Sequence, residues 1–210
     1  VARTPRCRCG EPARATLAAM TTFDSESQWT SIPQVIETAR LRLRPWRLGD
    51  VDDVFAYAQD GEWSRFLRIL PRPYERSHAE QFVARQLLAN RETRPSWAVT
   101  LEGSAIGGVN LTIQREHNRA EAGYSIGRKH WNRGFCSEAV RAVIDAAFEA
   151  CPGLNRICAM ADLENGASQR VMEKLGMKKE GVLRQNRVER GESIDEAWWG
   201  ILRSEWSEAS

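Results

Sequence analysis

The sequence predicts an α+β fold, and three observations carry the prediction. Apolar residues alternate in some segments and recur at helical spacing in others; the elements so defined run β-α-α-β-β-β-α-β-α-β-β; and glycine or acidic turn residues stand at the joints. Three strands follow one another directly, so the order is not the alternation of a doubly wound nucleotide-binding sheet. At 210 residues the chain suffices for one substantial domain and is short for two, so residues 34–210 are expected to form one unit.

Residues 35–46 read as the first strand, because apolar and charged residues alternate over Leu41 to Arg44, with Pro45 favouring a strand end. Asp50 stands ahead of Val51, Val54, Phe55 and Ala58, a helical spacing that its carboxylate is placed to cap. A second helix is expected over 76–91, with Ser77 and Glu80 as a capping box. Strands follow at 96–100 and 105–113 around a Glu102-Gly103 turn, and a third at 122–126. Residues 134–151 carry a wide apolar helical face through Ala139, Val143, Ala146 and Ala147. Residues 156–161 read as a buried strand, and 165–175 as a helix stopped by Gly176. The last two strands are expected at 182–187 and 194–202, with Gly191-Glu192 turning between them.

Residues 1–33 lack these patterns and are expected to be disordered. Val1 is an unusual initiator and Met20 opens a polar lead-in, so residues 1–19 are expected to be an untranslated upstream stretch. That stretch holds a local +3 of the chain's net +2, which leaves −1 on the remainder. A near-neutral body offers no clustered basic face for general nucleic-acid binding. No apolar run reaches the roughly 18 residues of a membrane span. Five cysteines with no C-x-x-C pair, and three histidines without ligand spacing, suggest neither a disulfide framework nor a metal site. A reducing cytoplasm fits best. The sequence leaves the oligomeric state open, a homodimer included.

The most informative segment is Gly123-Tyr124-Ser125-Ile126-Gly127 followed by Trp131-Asn132-Arg133-Gly134-Phe135-Cys136-Ser137-Glu138-Ala139. A strand feeds a loop that opens a helix, and helix starts present unpartnered N–H groups and partial positive charge to phosphates. Neither G-x-x-x-x-G-K-[ST] nor G-x-G-x-x-G is present, so ATP hydrolysis and dinucleotide binding have no support. The segment resembles the acetyl-CoA pyrophosphate motif of the GNAT acetyltransferases in its RimJ/RimL-like form, W-G-x-G-Y-A-[ST]-E-A, with Asn132 in place of a glycine. Asn165-Gly166-Ala167-Ser168 and Glu173-Lys174-Leu175-Gly176-Met177 resemble that family's N-x-x-S and E-K-L-G-[FM]. The resemblance spans about residues 37–206.

It implies a mixed, largely antiparallel sheet splayed between the fourth and fifth strands. It also implies direct transfer of an acetyl group from acetyl-CoA to a primary amine, without a metal. The coenzyme-binding set it implies is Ser125, Ile126, Gly127, Asn132, Arg133, Gly134, Phe135, Cys136, Ser137, Asn165 and Lys174. Ser168 would protonate the departing sulfur, and the Ile126 N–H would polarise the thioester carbonyl. Where relatives carry a glutamate and a tyrosine this chain has Met160 and Met172, and another acidic position holds Arg187. Glu189, Glu121 and Asp195 are candidate substitutes for a base, Glu189 foremost, each also readable as a solvated or structural carboxylate, and a chain of waters stays open as the alternative. The acceptor would be bordered by Trp46, Trp63, Trp97, Glu121 and Tyr124. With no evident base, an α-amine is favoured over a lysine: reference pKa values of about 7.8 and 10.4 make deprotonation of lysine at neutral pH roughly 3.5 kcal/mol harder. Two alternatives stay open. One is a small-molecule acetyltransferase for an aminoacyl-nucleotide or antibiotic; the other is a module that binds acyl-CoA without turnover.

Overall fold

The computed structural model describes residues 29–67 and 70–209. Eight strands form one sheet in the order β1-β2-β3-β4-β5-β6-β8-β7, every pairing antiparallel except β5 with β6.

The first expected strand is two. β1 (Ile36–Glu37) and β2 (Arg42–Arg44) pair antiparallel across a tight turn in which Thr38 N donates to Leu41 O at 2.9 Å. β2 ends at Arg44, ahead of Pro45. A 3-10 turn then leads into α1 (Val51–Ala58), but the Asp50 carboxylate does not cap it. It is buried against the Arg44 guanidinium in two bonds of 2.6 and 2.8 Å and accepts a third from Arg47 N at 2.7 Å. Charge pairing outcompetes capping here because an unpaired buried guanidinium would cost far more than one uncapped helix start.

α2 (Arg76–Leu88) is capped by Glu75, whose N–H donates to His78 Nδ1 at 2.9 Å. The helix starts one residue before Ser77, so the predicted box lies inside it and Glu80 pairs with Arg76 at 3.3 Å instead. β3 (Ser96–Leu101) and β4 (Ser104–Gln114) meet at Glu102 and Gly103, both at positive φ, the geometry that two-residue hairpins require. β5 (Arg119–Ile126) begins three residues earlier than expected.

α3 (Phe135–Ala150), β6 (Arg156–Asp162) and α4 (Gly166–Lys174) follow as predicted, with Gly176 at φ +75° after α4. β7 (Lys178–Glu189) and β8 (Glu192–Leu202) close the sheet. Their turn is Arg190-Gly191, one residue earlier than expected, because Glu189 pairs with Glu192 and both turn residues take positive φ. A last helix, α5 (Arg203–Ala209), had no prediction; its Trp206 is buried and donates to Asp145 at 2.7 Å.

α3 and α4 cover one face of the sheet through Val140, Ile144, Phe148 and Met172, while α1 and α2 cover the other around Trp46, Val54 and Val83. Residues 29–33 depart from the expected disorder. Ile32 is buried in the core, Thr30 N donates to Ala150 O at 3.2 Å, and Trp97 Nε1 donates to Pro33 O at 3.0 Å. The disorder expected over 1–28, and the status of 1–19, lie outside the described residues.

The splay is where the resemblance put it, its fourth and fifth strands being β5 and β6 once the first is divided. These strands pair only from Arg119 opposite Arg156 to Glu121 opposite Cys158, although both continue. Beyond Glu121, β6 stays with β8 as far as Asp162 and a gap opens beside β5.

Candidate active site

Ladder geometry aims the backbone of β5 into this gap. In an antiparallel pair, alternate residues turn both N–H and C=O toward the same neighbour. Gly127 N donates to Ile106 O at 2.7 Å, so Gly127, Ser125 and Gly123 face β4. Ile126 and Tyr124 therefore turn their backbone groups toward the gap. The Ile126 carbonyl is taken by Trp131 Nε1 at 2.6 Å, which leaves its N–H as the donor at the mouth. Of the three residues expected to meet the pantetheine arm, Ser125 turns its backbone groups to β4 instead, while Gly127 gives its N–H to Ile106 O and its carbonyl to His130 N at 2.9 Å.

The loop after β5 winds through Asn132 at φ +58° and Gly134 at φ +78°, so the asparagine takes the left-handed backbone that a glycine would supply. Glu138 N is the first in α3 to find a carbonyl, Gly134 O at 3.0 Å. The N–H groups of Asn132 to Ser137 have no backbone acceptor among the described residues. Ser137 Oγ donates to Gly134 O at 3.1 Å, and the Phe135 ring is buried in the core. The Cys136 thiol faces inward, where burial pushes its pKa up to about 12. A bare helix start with two left-handed turns before it fits a diphosphate.

Across the gap, Asn165 caps α4 by accepting from Ser168 N at 3.1 Å. Ser168 Oγ lies 2.9 Å from Tyr124 Oη, which also donates to Ser168 O at 3.1 Å. Burial raises the Tyr124 pKa against the opposing effect of the Ser168 bond, so the phenol keeps its proton. Tyr124 was expected to border the acceptor; it stands on the α3–α4 face with Ser168 instead. Lys174 is exposed in the last turn of α4, its carbonyl accepting from Arg141 at 3.3 Å.

The opposite face shapes the acceptor side. A Cβ on Gly127 would lie 3.0 Å from Tyr57 Cβ, so α1 packs directly over the end of β5, and Trp63 rests against Tyr57 with ring centroids 5.0 Å apart. Trp46 and Trp97, expected here, are core residues. Trp46 packs edge-on to Phe82 and donates to Ser96 at 3.0 Å, while Trp97 is fully buried.

Glu121 lies at the closed end, five residues or roughly 17 Å of extended strand from Ile126. Desolvation raises its pKa against Arg119, with help from Glu196. Asp195 faces away, accepting from Gln185 N at 2.8 Å in the bulge of β7. At the open end, Arg187 opposes Ile194 and forms ion pairs with Glu189 at 3.2 Å and Glu196 at 3.4 Å. Glu196 also accepts from Asn186 at 2.6 Å, whereas Glu189 Oε2 is buried without a hydrogen-bond partner among the described residues. Tyr57, Glu196 and the Tyr124–Ser168 pair had no signal in the sequence, since each contact joins residues distant along the chain.

Among the described residues no group of three or more His, Cys, Asp or Glu could hold a metal ion, and no helix is long and apolar enough to cross a membrane. The acetyltransferase (GNAT) domain family matches residues 40–178. The chain is 35% identical over 179 residues to the uncharacterized N-acetyltransferase p20 of Bacillus licheniformis, covering 83% of this chain and 99% of that one. It is 31% identical over 106 residues to the putative ribosomal N-acetyltransferase YdaF of Bacillus subtilis, 50% of this chain and 57% of that one. Among solved structures, a putative acetyltransferase from T. thermophilus superposes with a TM-score of 0.75 at 28% identity, over 84% of this chain and 93% of that one. The microcin C7 self immunity acetyltransferase MccE, in complex with acetyl-CoA and AMP, shares the fold with a TM-score of 0.73 at 17% identity, over 82% and 98% of the two chains. The chain belongs to the GNAT acetyltransferase family and is an acyl-CoA N-acyltransferase.

Proposed function

We propose that the protein transfers an acetyl group from acetyl-CoA to an α-amine, as a RimJ/RimL-like enzyme acting on a peptide or protein amino terminus. The observation that carries the reading is the convergence, at one gap, of the Ile126 N–H, the N–H groups of Asn132 to Ser137 and the Tyr124–Ser168 pair. Acetyl-CoA, when bound, supplies a thioester whose carbonyl carbon accepts the amine and whose sulfur leaves.

The loop from Asn132 to Ser137 holds the diphosphate, and the Asn165 side-chain amide meets the pantetheine arm. The Ile126 N–H stabilises the oxyanion that forms as the amine nitrogen attacks. Ser168 Oγ passes its proton to the departing sulfur and regains one from solvent, while Tyr124 keeps the serine oriented. Glu189 takes the proton that the amine sheds, because Oε2 is the one oxygen of its carboxylate that Arg187 leaves open. Tyr57 and Trp63 wall the acceptor.

The test is thiol release from acetyl-CoA with peptide α-amines, lysine peptides, aminoacyl-nucleotides and aminoglycosides. Peptide α-amines are expected to react fastest, and Ser168→Ala to lower kcat about 100-fold. Faster reaction of internal lysines, or of a small molecule stacked on Trp63, would overturn the acceptor assignment. Tight acetyl-CoA binding with no release from any acceptor would mark a binding module.

A further inference from the structure

A helix start that binds a diphosphate is poorly served by a carboxylate in its first turn, yet Glu138 stands there, four residues after Gly134. Its side chain is held by the β1–β2 turn. Thr38 Oγ1 donates to Oε1 at 2.6 Å, Arg40 N to Oε1 at 3.0 Å, and Arg40 Nε to Oε2 at 2.6 Å, with Arg40 Nη2 2.5 Å from Oε2. Desolvation pushes the Glu138 pKa up, but the bonds from Thr38 and Arg40 outweigh it and keep the carboxylate ionised.

The same guanidinium reaches the loop. Arg40 Nη1 donates to Arg133 O at 2.9 Å, and the Arg40 and Arg133 guanidinium carbons each lie 4.6 Å from the Phe135 ring centroid. Arg40 thus ties down a loop carbonyl while its charge cancels that of Glu138. We infer that Arg40 is a positioning residue for the acyl donor: it neutralises Glu138, and so makes the start of α3 accept a diphosphate. The inference rests on the assignment of residues 132–137 to the diphosphate.

Charge cancellation separates this role from simple bracing. Without Arg40, Glu138 is an uncompensated anion beside the diphosphate. Without both, that repulsion is gone. Without Glu138 alone, Arg40 keeps its positive charge near the phosphates.

The experiment is calorimetric titration of coenzyme A into wild type, Arg40→Met, Glu138→Gln, the double variant and Arg40→Lys, each checked by thermal melting. Arg40→Met is expected to raise Kd about tenfold or more, Glu138→Gln to change it about twofold or less, and the double variant to recover most of the loss. Arg40→Lys, which keeps the charge, is expected between wild type and Arg40→Met. An unchanged Kd in folded Arg40→Met overturns the inference, as does a double variant as weak as Arg40→Met. Should Arg40→Met not fold, Arg40→Lys and Glu138→Gln decide: a tenfold loss in Glu138→Gln overturns it. Failure of wild type to bind coenzyme A would instead refute the assignment of the loop.

Discussion

Replacing Asp50 by leucine removes the only carboxylate hydrogen-bonded to the Arg44 guanidinium among the described residues, and both side chains belong to residues almost wholly buried, at 4% and 6% exposure. What remains for Arg44 is a bond to Pro45 O at 3.0 Å, and Arg47 N loses its acceptor. Breaking a buried ion pair by deleting one partner costs about 3–5 kcal/mol, whereas replacing both by apolar groups is far milder. With a urea slope near 2 kcal/mol/M, the denaturation midpoint of Asp50→Leu should fall by roughly 1.5–2.5 M. Arg44→Met/Asp50→Leu should recover at least half of that. Tryptophan fluorescence in urea measures both. A loss below about 1 kcal/mol in Asp50→Leu, or a double variant as unstable as the sum of the singles, would refute the reasoning. Because the pair anchors α1, which carries Tyr57 over Gly127, KM for the acceptor should rise in Asp50→Leu while Kd for coenzyme A holds.

Other outcomes follow from the same contacts. Tyr124→Phe should lower kcat by about tenfold, less than Ser168→Ala, because Ser168 loses one partner but keeps its hydroxyl; a kcat equal to wild type in steady-state assays would refute the role of Tyr124 in orienting Ser168. Gly107→Ala should fail to give soluble protein, since its Cβ would fall 2.2 Å from Ser125 O and 2.8 Å from Ile126 Cα, where only backbone can move; a normally folded variant by circular dichroism contradicts the packing. Arg156, hydrogen-bonded to Glu180, holds that carboxyl below its ordinary 4.5. A lowered folded-state pKa means stability present above about 4.5 and lost as pH falls through the lowered value. The melting-temperature gap between wild type and Glu180→Gln should accordingly shrink on acidification below pH 4, and a gap that widens there reverses the sign. Cys136, its pKa pushed up to about 12 by burial, should resist iodoacetamide at pH 8 in the native protein, and alkylation at the unfolded rate detected by mass spectrometry would show an open thiol.

What was legible in the sequence is what is local along the chain. The Glu102-Gly103 turn, the glycine stop after α4, the Asn165 cap and the loop running into α3 each depend on residues within a few positions of one another. Periodicity resolved the long elements but misread 35–46, where two strands too short for a pattern merge into one run. Local capping rules failed where a tertiary partner offered more: Asp50 left its helix for Arg44, and Ser77 was bypassed by Glu75 with His78. Tryptophan assignments by likeness failed at Trp46 and Trp97, because burial of a large ring depends on which layer of the sheet its strand faces.

By itself, then, the sequence determined the run of elements from α1 to β8, the glycine-led start of α3 and the Asn165 cap with its serine three residues on, all set by neighbours a turn or two away. Only the tertiary structure decided that Tyr124 stands behind Ser168, that Arg187 divides its charge between Glu189 and Glu196, and that Arg40 cancels Glu138 from 98 residues away. The physical reason is one of range. Hydrogen-bond geometry within a turn is written in adjacent residues, but charge pairing and burial act through space, and which residues meet there is known only once the sheet has opened between β5 and β6.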